Sequence, residues 1–208
     1  ILDEEFKRGM DVVLILDDDI SYIERFEVSD ITGYGYERYK LSADEVMVMI
    51  EKYSIMAKDI GAKFWGININ PDQRCYHHNT PFSTKSYIGG PFRCHLKGSR
   101  CRYDERLFFK DDYDMTLQQL NMERVVLRVN AYHYICEQST NVGGLATLRN
   151  RQREYEETMA LRRKWGGKLS SWTKQTKGTR INKRYSIITQ SSEYQSKEYD
   201  TQAEIFSF

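Results

Sequence analysis

Residues 12–16, Val-Val-Leu-Ile-Leu, run without a break into Asp17, Asp18 and Asp19. A wholly apolar run this short, bounded by polar residues, reads as a buried strand. Burying one ionised carboxylate costs several kcal/mol, and neighbouring carboxylates repel one another. A fold built on this strand must therefore bring the triplet to water or to a cation. A hard divalent ion with oxygen ligands is the simplest such cation. In an open α/β sheet the carboxyl end of a strand is also where ligands bind. A solvated acidic turn is the alternative.

The 208 residues suit one domain, and 40% hydrophobic with 13% aromatic content argues against disorder. No stretch is apolar enough to span a membrane and no signal peptide is recognisable, so a cytoplasmic protein without a membrane partner is expected. Cys75, Cys94, Cys101 and Cys136 fit reduced thiols better than a disulfide framework. The chain opens on Ile1, and its first core strand follows almost at once, which suggests that an upstream segment is missing. The net charge of +1 hides an asymmetry: Arg149 to Arg184 holds twelve basic residues, opposed only by Glu154, Glu156 and Glu157. Such a tract is a footprint for phosphate, in a nucleotide or a nucleic acid; a solvated helix face is the plainer explanation.

Strands alternating with helices predict an α/β fold. Residues 1–9 read as the end of a helix, 11–17 as a strand, and the Tyr- and Gly-rich 20–41 as a loop on the active-site side. Ser42 with Glu45 is a capping box opening a helix to about Ile60, which Gly61 ends. Lys63–Ile69, Lys85–Ile88, Phe92–Leu96, Arg106–Phe109 and Arg124–Asn130 read as strands, the last continuing through Tyr132–Cys136. Asp112–Asn121 and Leu145–Trp165 read as helices, and Arg184–Thr189 as a final strand. The boundaries expected are a catalytic domain over 1–185 and a tail over 186–208.

A second acidic cluster, Asp111, Asp112 and Asp114, opens a helix, where ordinary dipole capping is worth about 0.3–1 kcal/mol per carboxylate. Capping does not need three; facing the first cluster, one of them can serve as a general base. His133 ends another apolar strand and is either an interior histidine or a ligand. Cys75, His77, His78, Cys94, His95 and Cys101 make zinc conceivable, without the paired spacings of strong zinc sites.

An apolar strand ending in Asp-x-Asp, a later acidic motif opening a helix and a strand bearing a histidine together resemble the metal-dependent nucleotide-sugar transferases of the GT-A fold. That resemblance implies a Rossmann-like mixed sheet flanked by helices, here short of its N-terminal nucleotide-binding part. It implies Asp17, Asp19 and His133 around Mn²⁺ or Mg²⁺, with Asp18 beside the donor. Asp112 would be the base, with Asp111 and Asp114 beside it. Asn141-Val142-Gly143-Gly144 followed by Arg149 and Arg151, and the helix ending Lys164-Trp165-Gly166, further resemble the TET-associated glycosyltransferases of phages and some eukaryotes. Those are proposed to glycosylate hydroxymethylated pyrimidines in DNA. The resemblance implies a UDP-sugar as the most fitting donor and DNA as acceptor. Arg149, Arg151, Lys177 and Arg180 are candidate phosphate-binding side chains. Gly89, Gly90, Gly143 and Gly144 either admit a sugar or phosphate close to the backbone or are plain turns. Trp65, Tyr87 and Trp165 either stack on a base or sugar or belong to the core. A magnesium-dependent nuclease or phosphotransferase, and a non-catalytic nucleic-acid-binding module, remain as other readings.

Overall fold

The computed structural model describes residues 1–28, 35–136 and 151–166, with the backbone alone for 169–175 and 181–187 and for positions Cys75 and Arg151. A short helix α1 (Leu2–Lys7) precedes strand β1 (Val12–Leu16). Then follow β2 (Ile20–Val28), β3 (Tyr36–Lys40), α2 (Ala43–Asp59), β4 (Phe64–Asn68), a 3₁₀ turn (Gln73–Cys75), β5 (Phe82–Ser83) and β6 (Phe92–Leu96). Helix α3 (Asp111–Met122), β7 (Leu127–Cys136) and α4 (Arg151–Trp165) complete the main body, and β8 (Leu169–Gln175) pairs with β9 (Ile181–Ile187) in a separate ribbon. Strand β9 crosses the boundary expected at 185.

Seven strands form one mixed sheet in the order β1-β6-β4-β7-β2-β3, with β5 added beside β7. Among the described residues only β4 and β7 run parallel in this sheet; its other pairs are antiparallel. The expected α/β class is therefore observed, as a mixed sheet flanked by helices. Residues 20–41 are not a loop: β2 and β3 pair from Glu24↔Lys40 to Val28↔Tyr36. The strands expected at Lys85–Ile88 and Arg106–Phe109 are irregular segments and turns.

Strands β4 and β6 are buried along their whole length and serve two cores. Trp65, Ile67, Phe92 and Cys94 pack with Met49, Tyr53 and Ala57 of α2. Phe64 faces the other way, into Met115 and Leu117 of α3 and Leu161 of α4. This is the side-chain alternation of a strand covered on both faces. The capping box of α2 forms as the sequence predicts: Glu45 N–H donates to Ser42 Oγ at 3.3 Å, and Ser42 N–H donates to Glu45 Oε2 at 2.8 Å.

The acidic triplet is the whole link between β1 and β2. Those strands stand four places apart in the sheet, which in a flat sheet is roughly 19 Å. Three linking residues reach about 14 Å at most. The sheet must therefore curl so that strand ends converge at Asp17–Asp19. The triplet bridges that converged end, from Pro91 at the start of β6 (Asp17 N–H to Pro91 O, 3.0 Å) to Cys136 at the end of β7, whose thiol bonds Asp19.

Candidate active site

The two acidic clusters meet. Pairing of Leu16 with Phe92 sets Asp17 opposite Pro91 and above Gly90. A Cβ placed on Gly90 would stand 3.4 Å from Asp112 Oδ2 and 3.9 Å from Asp17 Oδ2. Both carboxylates thus face one small space, and only the glycine leaves it open. Gly89 has a different reason: a Cβ there would collide with Ile69 Cγ2 at 2.3 Å and with the Tyr134 hydroxyl at 2.6 Å. Its smallness serves packing.

Arg93 supplies the counter-charge. It projects from β6 on the α3 side, is 8% exposed, and donates from Nη1 to Asp111 Oδ2 at 2.6 Å. Its Nη2 lies 3.7 Å from Asp17 Oδ1. Burial opposes its charge, but Tyr103 and Asp111 outweigh that and keep the guanidinium protonated. The sequence signal for it is an arginine inside the expected strand Phe92–Leu96.

Asp112 is the most perturbed carboxyl of the group. Burial and the neighbouring Asp111 carboxylate push its pKa up to about 6, against the hydrogen bonds from Tyr87 and the Tyr113 amide and the charge of Arg93. The Tyr87 hydroxyl donates to Oδ2 and the Tyr113 N–H to Oδ1 at 2.7 Å. Tyr87 is thus a partner of the candidate base rather than a stacking platform. Asp17 is also raised, by burial first, with Arg93 opposing and Asp19 and Asp111 adding to the rise. A carboxyl near 6 suits proton transfer close to neutral pH.

Other expected site residues lie elsewhere. Asp114 is fully buried and turned away, accepting from Lys164 Nζ (2.8 Å), the Trp165 indole N–H (2.8 Å) and Gln118 Nε2 (2.7 Å). It ties α3 to α4 and leaves no oxygen for chemistry. The expectation that Asp114 works beside the base is corrected: two residues further along the helix, it faces the core. His133 is also apart. It is fully buried, with Nε2 2.9 Å from Glu24 Oε2 and its ring stacked on Phe26 at 4.4 Å. Tyr134, the next residue along the strand, takes the other face, and its hydroxyl is the one that approaches Gly89. The late-ligand role expected of His133 is corrected on this ground.

Trp65 is fully buried, its indole N–H on Ser54 Oγ at 3.1 Å, and is core. Asp18 is exposed in the turn. Gly143, Gly144, Arg149, Lys177 and Arg180 lie outside the described residues, as does the side chain of Arg151. Of the zinc candidates, Cys94 and His95 point to opposite faces of β6, and His95 Nε2 bonds the Tyr103 hydroxyl at 2.8 Å. Among the described residues no three His, Cys, Asp or Glu side chains are arranged to hold a metal ion.

For a divalent ion the fit is therefore two carboxylates. Asp17 faces the Gly90 space, and Asp19 Oδ1 is buried without a hydrogen-bond partner. Two carboxylates suffice where a substrate's phosphate oxygens complete the shell, as is usual for magnesium. No helix among the described residues is long and apolar enough to cross a membrane. No protein-family model, curated protein or solved structure matches the chain.

Proposed function

We propose that the chain is a metal-dependent glycosyltransferase, moving a sugar from a nucleotide-sugar donor, most fittingly a UDP-sugar, to an acceptor hydroxyl, with a hydroxymethylated pyrimidine in DNA as acceptor. The observation that carries the reading is the meeting of Asp17 and Asp112 over Gly90, two carboxylates from distant elements left facing one open space. Asp17 and Asp19 would hold Mn²⁺ or Mg²⁺, which supplies Lewis-acid neutralisation of a leaving diphosphate. Asp112 accepts the proton of the acceptor hydroxyl as its oxygen bonds to the anomeric carbon. The bond from that carbon to the diphosphate oxygen breaks, and the diphosphate leaves with the electron pair. Tyr87 and the Tyr113 amide orient the Asp112 carboxylate, while Arg93 keeps Asp111 and Asp17 from repelling it out of place.

The test combines binding and transfer. Uridine diphosphate with manganese should raise the melting temperature, and either alone should do less. With a panel of sugar nucleotides and hydroxymethylated DNA, mass spectrometry should record the gain of one sugar residue. Asp112→Asn should keep the stabilisation and lose the transfer. Absence of both responses in the wild type, or strand cleavage that needs no sugar nucleotide, would overturn the reading; cleavage would favour the nuclease chemistry.

A further inference from the structure

A groove of about 540 Å³ runs between the 106–109 turn and one face of α4. Its walls include Phe108, Arg153 and Arg163, with Glu156 and Glu157 as the opposing carboxylates, and also Arg106, whose guanidinium is already paired with Asp104 at 2.8 Å. Glu157 is 9% exposed and its Oε2 accepts the Phe109 amide at 2.7 Å, so it is committed to holding α4 against the turn. Glu156 Oε1 accepts from Gln152 at 2.7 Å. The side chain most at odds with a bland surface is Phe108, a large aromatic 64% exposed among guanidinium groups.

We infer that this groove is the seat of a single-stranded nucleic-acid segment, whose phosphates meet the arginines of α4 and one of whose bases stacks on Phe108. The pairing of an exposed ring with planar guanidinium forks is what separates this class of ligand from a simple anion, which needs no aromatic platform, and from a duplex, whose bases are already stacked. Arg153 and Arg163 stand ten residues apart on α4, about 15 Å along the axis, so they can follow a strand over more than one phosphate. Phe109 lines the groove, and Lys110, Asp111 and Asp112 follow it in the chain. A strand held here would pass the start of the helix that carries the base. That last step rests on the transferase reading; the binding itself does not.

The test is fluorescence anisotropy of a short labelled oligothymidylate with the full chain, without donor or metal. Wild type should bind with a salt-dependent affinity. Phe108→Ala should weaken binding roughly tenfold, the loss of one stacked base, and Phe108→Tyr should retain it. Arg163→Ala should flatten the plot of log affinity against log salt by about 0.7, one phosphate contact. Lys58→Ala, which removes the same charge from exposed α2, should change affinity by less than about twofold, the scale of a surface substitution. Equal melting temperatures show that the variants are folded. Absence of binding, equal loss in all single-charge variants, equal binding of a duplex, or displacement by uridine diphosphate with matching sensitivity to Phe108 and Arg163 would each overturn the assignment. The last would make the groove a donor site instead. Because neither donor nor transfer enters the assay, failure here leaves the test of the carboxylate site untouched, and failure there leaves this one standing.

Discussion

Asp112 and Asp114 stand two residues apart in the first turn of α3, yet they occupy two different kinds of surroundings. Around Asp114, every approach ends in a donor: Lys164, Trp165 and Gln118 converge on it, and Asp104 adds a second carboxylate on Lys164. Burial opposes the charge of Lys164, but the bonds to Asp114 and Asp104 raise it further than burial lowers it. Around Asp112, burial comes with like charge: Asp111 beside it and Asp17 across Gly90. The contrast teaches that a buried carboxylate does not by itself mark chemistry. What separates a structural one from a reactive one is whether the surroundings stabilise its charge or resist it.

The comparison is broken first at the helix seam. Asp114→Ala should destabilise the fold by about 3 kcal/mol, the lower end for removing one partner of a buried ion pair. The lower end applies because Lys164 keeps a third of its side chain in water. Urea denaturation should show a lower midpoint with an unchanged slope. A loss below about 1 kcal/mol, the scale of exposed pairs, would mean that the seam is not what holds α4. At the carboxylate site, the adjacent glycines should part company. Gly89→Ala should cost about 1–3 kcal/mol from overpacking against Ile69 and Tyr134. Gly90→Ala makes only ordinary contacts and should stay within about 0.5 kcal/mol, while blunting the thermal response to uridine diphosphate and manganese. Equal stability loss in both would show that Gly90 is also a packing residue.

Much of this arrangement is legible in the sequence. The apolar run of β1, the capping box of α2, strand β6 and the acidic start of α3 all follow from local pattern. So did the idea that the two acidic clusters belong together, though nothing local says that the curled sheet end is what joins them. Strand β2 is hidden in the sequence because Ile20-Ser-Tyr-Ile-Glu-Arg-Phe-Glu-Val does not alternate cleanly, and a register shift between Ile20 and Tyr22 breaks its parity. The Arg106–Phe109 segment alternates like a strand, with Leu107 and Phe109 buried and Phe108 exposed. It is a turn because Leu107 N–H returns to Asp104 O at 2.9 Å and Glu157 takes the Phe109 amide. The metal-ligand role of His133 follows from the resemblance alone; its place near a strand end leaves it either an interior histidine or a ligand. Its face, however, depends on another register shift, between Ile67 and Asn68 on the β4 partner strand, which no spacing rule reveals. Arg93 does not stand out in the sequence, because a lone cation in a strand acquires meaning only through its partners.

The most direct measurement compares the unfolding free energy of wild type and Asp112→Asn between pH 4 and pH 8, and needs no knowledge of the substrate. The folded-state pKa of Asp112 is raised from 3.8 to about 6. Its protonated form is therefore the one the fold favours, and the stability this contributes is present at low pH and lost as pH rises through about 6. At pH 8 the asparagine variant should be more stable than wild type by up to about 3 kcal/mol, and the gap should close toward pH 4. A variant less stable by about 1 kcal/mol at every pH, as for a lost helix cap, would contradict the account. Asp112 would then be an ordinary end to a helix.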